Sequence, residues 1–259
     1  MNNVNKTLYI PLYAKALVSE RGLFISDKRA EEIWAAEGFA LGGKSKSKWL
    51  AFYLGVRAAV FDTWVKDKIK EMPNAAVVHI GCGLDSRVLR VGAESAKWYD
   101  LDFPEVIEER RKYFTEGEGY KMLSGSATSG EWMDEICSDS VIIVMEGVSM
   151  YIPEEELTRL FGRLSERFES VALLMDCYSA FAAKMSKYKN PINEVGVTKT
   201  YGLDEPDKLS VGGFEFISEH EMTPKKYIDE LSGSEKRIFE KLYAGKFARK
   251  LYRLFEYRK

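Results

Sequence analysis

Histidine and cysteine are scarce in this chain of 259 residues. The only histidines are His79 and His220, and the three cysteines, Cys82, Cys137 and Cys177, form no CxxC pair. An odd, widely spaced set of thiols excludes a disulfide scaffold and a zinc ribbon, and two distant imidazoles exclude a histidine-rich centre, so no metal site is expected. An excess of basic charge is also missing. Thirty-eight Lys and Arg face 40 Asp and Glu, for a net charge of −2. Nucleic-acid partners normally demand a basic surplus, so they are not expected here. No stretch approaches the ~20 apolar residues of a membrane span, and the N-terminal MNNVNKTLYIPLYAK lacks the apolar core of a signal peptide. The expectation is a soluble chain in the reducing cytoplasm.

The remainder has an ordinary globular balance, 46% hydrophobic and 30% charged. Residues 1–72 read as helical. Their clearest element runs from Ser45 to about Glu71, with Trp49, Phe52, Tyr53, Val56, Val60 and Trp64 at helical spacing. Pro73-Asn74 ends it. From there, short apolar runs alternate with helical patterns: a strand over 75–80, a helix start at 85–91, a strand over 96–101, and a helix over 104–114 opened by Pro104. A Gly/Ser-rich stretch, 117–130, precedes a buried strand at 141–145, an amphipathic helix at 153–168 and another strand at 171–176. After Tyr178 come a polar loop, a helix near 223–231 and a terminal LYRLFEYRK that fits a last antiparallel strand. Such alternation predicts an α/β fold: a mostly parallel Rossmann-like sheet over 73–259, preceded by a helical cap or lid over 1–72, with substrate-side insertions after 178.

Chemistry-bearing residues fall at the ends of those strands. The string HIGCGLDSR places Gly81 and Gly83 where a strand turns into a helix, so a ligand can approach the backbone. Asp102 follows 21 positions after Gly81 at the end of WYDLDF, the separation at which a carboxylate meets a nucleoside ribose. Asp100 shares its parity, but fits a solvated loop carboxylate better. Nicotinamide enzymes share these features. Here, however, Asp85 and Ser86 stand at the helix start, and a carboxylate there is expected to repel a pyrophosphate, favouring a phosphate-free sulfonium cofactor. Glu146, directly after an apolar strand, must reach the crevice or be buried at a cost. It is expected to accept an ammonium, and Glu146→Ala and Asp102→Ala are both expected to weaken binding without disturbing the fold. In the cap, Lys15 and Arg57 are candidate cations. Spacing alone leaves Arg57 evenly balanced between a guanidinium snorkelling past aromatics and a fork for a ligand carboxylate. His79 reads as packed, Cys82 lacks an activating base, and Trp34, Phe39, Trp49, Phe52 and Tyr53 read mostly as core.

The strings VVHIGCGLDSRVLR, WYDLDFPEVIEERRKYF, VIIVMEGVSMYIPEEELTRLF and YGLDEPDKL together resemble the leucine carboxyl methyltransferase family, whose bacterial branch is similar to tetracenomycin-type polyketide O-methyltransferases. The resemblance implies a class I methyltransferase sheet under a helical cap, S-adenosylmethionine as cofactor, and cofactor contacts on Lys15, Arg57, Gly81, Asp102 and Glu146. Where some members carry Asp-Leu beside the adenine, this chain has Ser126-Ala127, which makes Ser126 a weak adenine-site candidate and weakens the case for a protein C-terminus as acceptor. The resulting expectation is methyl transfer to a carboxylate or hydroxyl of a small molecule. No catalytic residue is assigned, because a carboxylate acceptor needs no base and no histidine is well placed to serve a hydroxyl. Two readings compete with it: a cofactor-binding regulator without catalysis, and a nicotinamide-dependent oxidoreductase.

Overall fold

The computed structural model describes residues 3–37, 43–92, 96–189 and 199–259. Phe39 and part of the polar stretch after Tyr178 lie outside the described residues. Three helices come first, α1 (Asn3–Glu20), α2 (Lys28–Glu37) and α3 (Lys48–Glu71). An alternating series follows: β1 (Ala76–Ile80), α4 (Arg87–Val91), β2 (Trp98–Asp102), α5 (Pro104–Arg110), β3 (Tyr120–Ser124), β4 (Ser140–Met145), α6 (Glu154–Arg167) and β5 (Ser170–Tyr178). The C-terminal part adds α7 (Ala180–Lys189), β6 (Glu215–His220), α8 (Lys225–Ile228), α9 (Gly233–Tyr243) and β7 (Tyr252–Arg258).

The strands form one sheet in the order β3-β2-β1-β4-β5-β7-β6. β1 to β5 are mutually parallel, whereas β7 runs antiparallel to β5 and β6 antiparallel to β7. The terminal antiparallel strand is therefore where the sequence suggested. Two edge strands were not. β3 lies inside the Gly/Ser-rich stretch, and β6 inside a segment with no apolar run. An edge strand buries at most one face, so its sequence lacks the continuous apolar signal of a central one. The helix expected near 223–231 shrinks to the single turn of α8, and the longer helix is α9.

Period-2 alternation divides the central strands between two cores. Val77, Ile142, Val144 and Leu174 face Phe52, Phe61, Trp64 and Val65 of α3. Val78, Ile143 and Leu173 face Leu157, Leu160, Phe161 and Leu164 of α6. Each such fully buried side chain contributes about 1.5–3 kcal/mol from burial. The helices preceding Pro73 thus share a core with the sheet. α6 opens with Glu154, Glu155 and Glu156, whose charges suit the positive end of the helix. Among the described residues, no helix is long and apolar enough to cross a membrane, and no group of side chains is arranged to hold a metal ion.

Candidate active site

Strand order reverses between β1 and β4: β2 and β3 extend the sheet to one side of β1, β4 and β5 to the other. Open α/β sheets bind ligands at such a switch point, beyond the carboxyl ends of the strands. Register then aligns the key residues. Ile80 pairs with Leu101 on β2 and with Met145 on β4, so Gly81, Asp102 and Glu146 stand level at three adjoining strand tips.

A cavity of about 750 Å³ opens there, and all seven candidates, Lys15, Arg57, Gly81, Gly83, Asp102, Ser126 and Glu146, line it. Gly81 has φ +67°, and a Cβ on it would meet Val148 Cγ2 at 2.2 Å. Only glycine fits this turn. Gly83 N–H donates to Asp102 Oδ2 at 2.8 Å, and Phe103 N–H donates to Oδ1 at 2.8 Å. Each oxygen therefore keeps capacity for one more donor. Burial pushes the Asp102 carboxyl above its usual range, and the two backbone donors offset this only in part.

Asp100, two residues earlier, is not a solvated loop carboxylate as the sequence suggested. It is fully buried and accepts from Trp98 Nε1 at 2.8 Å, from Tyr120 Oη at 2.7 Å and from Arg110. Burial alone would raise its pKa, but Arg110 overrides that and lowers it. It is part of the scaffold beneath the site.

Glu146 is buried at 8% exposure and surrounded by cations. Oε1 lies 3.4 Å from Lys15 Nζ and 3.0 Å from Arg57 Nη2, and Oε2 accepts from Arg87. Burial pushes its pKa up, yet Lys15, Arg87 and Arg57 override burial and hold the carboxyl well below its ordinary value. It serves first as the hub that fixes these cations. Any ligand ammonium must share it with them, a role the sequence had assigned to it alone. Removing it would strip three buried cations of a partner, so Glu146→Ala is now expected to lose stability as well as binding.

Arg57 does not snorkel. It is 4% exposed, with Nη1 bonded to Asp176 at 3.0 Å and to the Tyr252 hydroxyl at 2.5 Å. Its Nε is buried and has no hydrogen-bond partner among the described residues. A buried donor without a partner is costly.

Asp85 likewise departs from expectation. Lys15 at 3.0 Å, Arg90 at 2.8 Å and Arg87 at 3.5 Å surround it. Against burial, Arg90, Lys15 and Arg87 hold its pKa well below normal. With its charge compensated in this way, it provides little repulsion toward a pyrophosphate, and that argument against a dinucleotide loses its force. His79 is packed as expected, 1% exposed and 3.0 Å from Arg87. Cys82 is buried, and burial pushes its thiol well above its ordinary pKa, which leaves it unreactive. Ser126 lines the cavity, but its hydroxyl is engaged within its own loop, 3.2 Å from Thr128 Oγ1.

Three contributors escaped the sequence reading. Arg87 joins Glu146 to Asp62, and Tyr252 and Asp176 join Arg57. Asp176 carried a usable signal, a carboxylate at the end of the apolar run VALLM like Glu146 after VIIVM. Tyr252 carried none.

This architecture has known counterparts. Residues 3–121 match the leucine carboxyl methyltransferase family. Over 92% of this chain and 90% of the relative, the sequence is 26% identical to the tetracenomycin polyketide synthesis O-methyltransferase TcmP of Streptomyces glaucescens. It is 24% identical to the S-adenosyl-L-methionine-dependent methyltransferase dpfgK of Gibberella zeae, over 81% of this chain and 78% of that one. The fold is similar to magnesium protoporphyrin IX methyltransferase (ChlM) of Synechocystis PCC 6803, solved with S-adenosylhomocysteine. That likeness has a TM-score of 0.52 and 15% identity and covers 95% of this chain and 99% of that one. With the glycine turn, the strand-end carboxylate and the strand order all in agreement, the chain resembles the leucine carboxyl methyltransferase family over residues 3–121 and is an S-adenosylmethionine-dependent methyltransferase.

Proposed function

We propose that this protein methylates an oxygen, carboxylate or hydroxyl, of a small molecule inside the cavity at the β1–β2–β4 tips, in the cytoplasm. The observation that carries the reading is the convergence of Asp102, Arg57, Lys15 and Glu146 on one cavity of about 750 Å³. The donor set fits the cofactor. Asp102 would accept from the ribose hydroxyls, Arg57 and Lys15 would hold the methionine carboxylate, and Glu146 would face the ammonium while keeping both cations in place. Gly81 and Gly83 admit the nucleoside to the backbone, and Ser126 lies on the adenine side. When bound, S-adenosylmethionine supplies a methyl group on a sulfonium, ready for in-line displacement.

The chain's own part is alignment and exclusion of water, which can supply about 7–11 kcal/mol of acceleration in favourable cases. Leu8, Ile10 and Leu12 of α1 and Leu50 and Leu54 of α3 line the cavity, which supports a lid role for residues 1–72. Toward the acceptor, Tyr53 stacks on Tyr252 with ring centroids 6.0 Å apart, and Tyr178 leans on Tyr252 at 5.0 Å. A carboxylate acceptor is already nucleophilic at neutral pH and needs no base. The cysteines Cys82, Cys137 and Cys177 are all free thiols, which suits a reducing compartment.

Titration calorimetry with S-adenosylmethionine and S-adenosylhomocysteine tests the site, and mass spectrometry of a panel of small carboxylic acids, phenols, amines and thiols tests the transfer. Absence of binding to both nucleosides at millimolar concentration would refute the reading. Methylation confined to nitrogen or sulfur acceptors would refute its oxygen specificity.

A further inference from the structure

We infer that Asp176 and Tyr252 are positioning residues: together they clamp the Arg57 guanidinium, which lines the cavity, where it meets the cofactor's carboxylate. The inference rests on the reading of Arg57 given above.

Asp176 lies within β5 and is fully buried. Its Oδ1 accepts from Gly147 N–H at 2.7 Å, and its Oδ2 accepts from Arg57 Nη1 at 3.0 Å and from the Tyr252 hydroxyl. Tyr252 lines the cavity and opens β7, where antiparallel pairing sets it against Tyr178. Its hydroxyl accepts from Arg57 Nη1 at 2.5 Å while donating to Asp176, so the three groups form a closed triangle. Asp176 does not line the cavity. Whatever it does for a ligand is done through Arg57.

Geometry makes the clamp consequential. A guanidinium is a rigid planar fork, so fixing two of its nitrogens fixes where the third points. Nη1 is held by Asp176 and Tyr252, and Nη2 by Glu146 at 3.0 Å. Both terminal nitrogens are thus held, and the guanidinium keeps one orientation at the cavity wall. Gly147 seals the arrangement from above, since a Cβ on it would lie 3.4 Å from Nη1 and Nη2. A fork held on this many sides loses little further freedom when it meets a carboxylate, which is how preorganisation raises affinity.

The test compares two nucleosides by calorimetry. S-adenosylhomocysteine carries the amino-acid carboxylate, and 5′-methylthioadenosine lacks it. Tyr252→Phe is expected to weaken S-adenosylhomocysteine about fivefold, and Asp176→Asn about tenfold, with 5′-methylthioadenosine changed less than about twofold in both. Thermal melting of each variant checks that it is folded, and Tyr252→Phe alone suffices should Asp176→Asn fail to fold. Equal weakening of both nucleosides, or of neither, in Tyr252→Phe would defeat the positioning role. Arg57→Lys separates this from the underlying reading. If it weakens S-adenosylhomocysteine while Tyr252→Phe leaves affinity unchanged, only the clamp is wrong. If Arg57→Lys itself leaves S-adenosylhomocysteine untouched, the assignment of Arg57 to the carboxylate is wrong.

Discussion

Two neighbouring clusters of buried charge meet at the tips of this sheet, and they are finished to different degrees. Behind α4, Arg90 bonds Asp62, Asp27 and Asp85, Arg87 bonds Asp62, and the Ser86 hydroxyl bonds Asp27. Every carboxylate there has a cation or hydroxyl on it. On the cavity side, Arg57 keeps a buried Nε without a partner among the described residues, and Asp102 has only two backbone donors. Polar satisfaction is the rule in protein interiors, and exceptions concentrate where a ligand completes the set. The closed cluster therefore acts as framework and the open one as site, although Lys15 and Glu146 physically join the two.

The largest effect should come from opening the closed cluster. Arg90→Met leaves Asp27, Asp62 and Asp85 buried without their shared cation, and loss of one partner from a buried ion-pair network costs about 3–5 kcal/mol. Urea denaturation is expected to show that loss, with a smaller change in S-adenosylhomocysteine affinity of the folded fraction. A loss of stability under about 1 kcal/mol would show that the cluster is not framework. Glu146→Ala tests the junction. It should lose a comparable amount of stability and also affinity, because Lys15, Arg57 and Arg87 all lose their common partner.

How much of this was legible in the sequence follows from the range of each interaction. Asp102 and Glu146 were readable because each is a carboxylate placed directly after, or at the end of, an apolar strand, a local pattern with few inexpensive explanations. The glycine turn was readable for the same reason. The central strands announce themselves by continuous Val and Ile, whereas β3 and β6 do not. Their edges face solvent, and YKMLS and EFISEH show at most alternate burial. The partners of Arg57 were out of reach. Tyr252 comes near it only because β7 pairs antiparallel with β5 in a register that sets Tyr252 against Tyr178 and Leu254 against Asp176. Nothing local in LYRLFEYRK encodes that register. The compensation of Asp85 was hidden likewise, since Lys15 lies 70 positions away in sequence.

Asp102→Ala should act on the open side alone. Removing its acceptors for the ribose is expected to weaken S-adenosylhomocysteine by about 1.5–3 kcal/mol, roughly ten- to a hundredfold. Stability should hold or rise, because burial already disfavours this carboxylate. A melting temperature that falls as far as that of Arg90→Met would erase the distinction between the two clusters.

Acidification should separate them more gently. Burial raises the Asp102 pKa above its usual ~4, so its charged form, the one proposed to accept from the ribose, is lost as pH falls through that raised value. Asp85 and Glu146 go the other way. Their pKa values are depressed, so their contribution to stability is present above the unfolded value of ~4 and disappears only as pH drops toward their lower folded values. On acidification the affinity for S-adenosylhomocysteine is thus expected to decline before the fold, followed by circular dichroism, is lost. Coincident loss of binding and fold would contradict the opposite shifts.

Ser126→Ala should produce the smallest change of all. The Ser126 hydroxyl already bridges to Thr128 Oγ1 at 3.2 Å and accepts from Thr128 N–H at 3.3 Å, while Ser129 Oγ donates to the Ser126 carbonyl at 3.0 Å. The loop shape is thus carried partly by main chain, and the side chain spends its capacity locally instead of on the cavity. Its removal should alter S-adenosylhomocysteine affinity by less than about twofold and stability by about 0.5 kcal/mol. A tenfold loss of affinity would place Ser126 on the open side with Arg57 and Asp102.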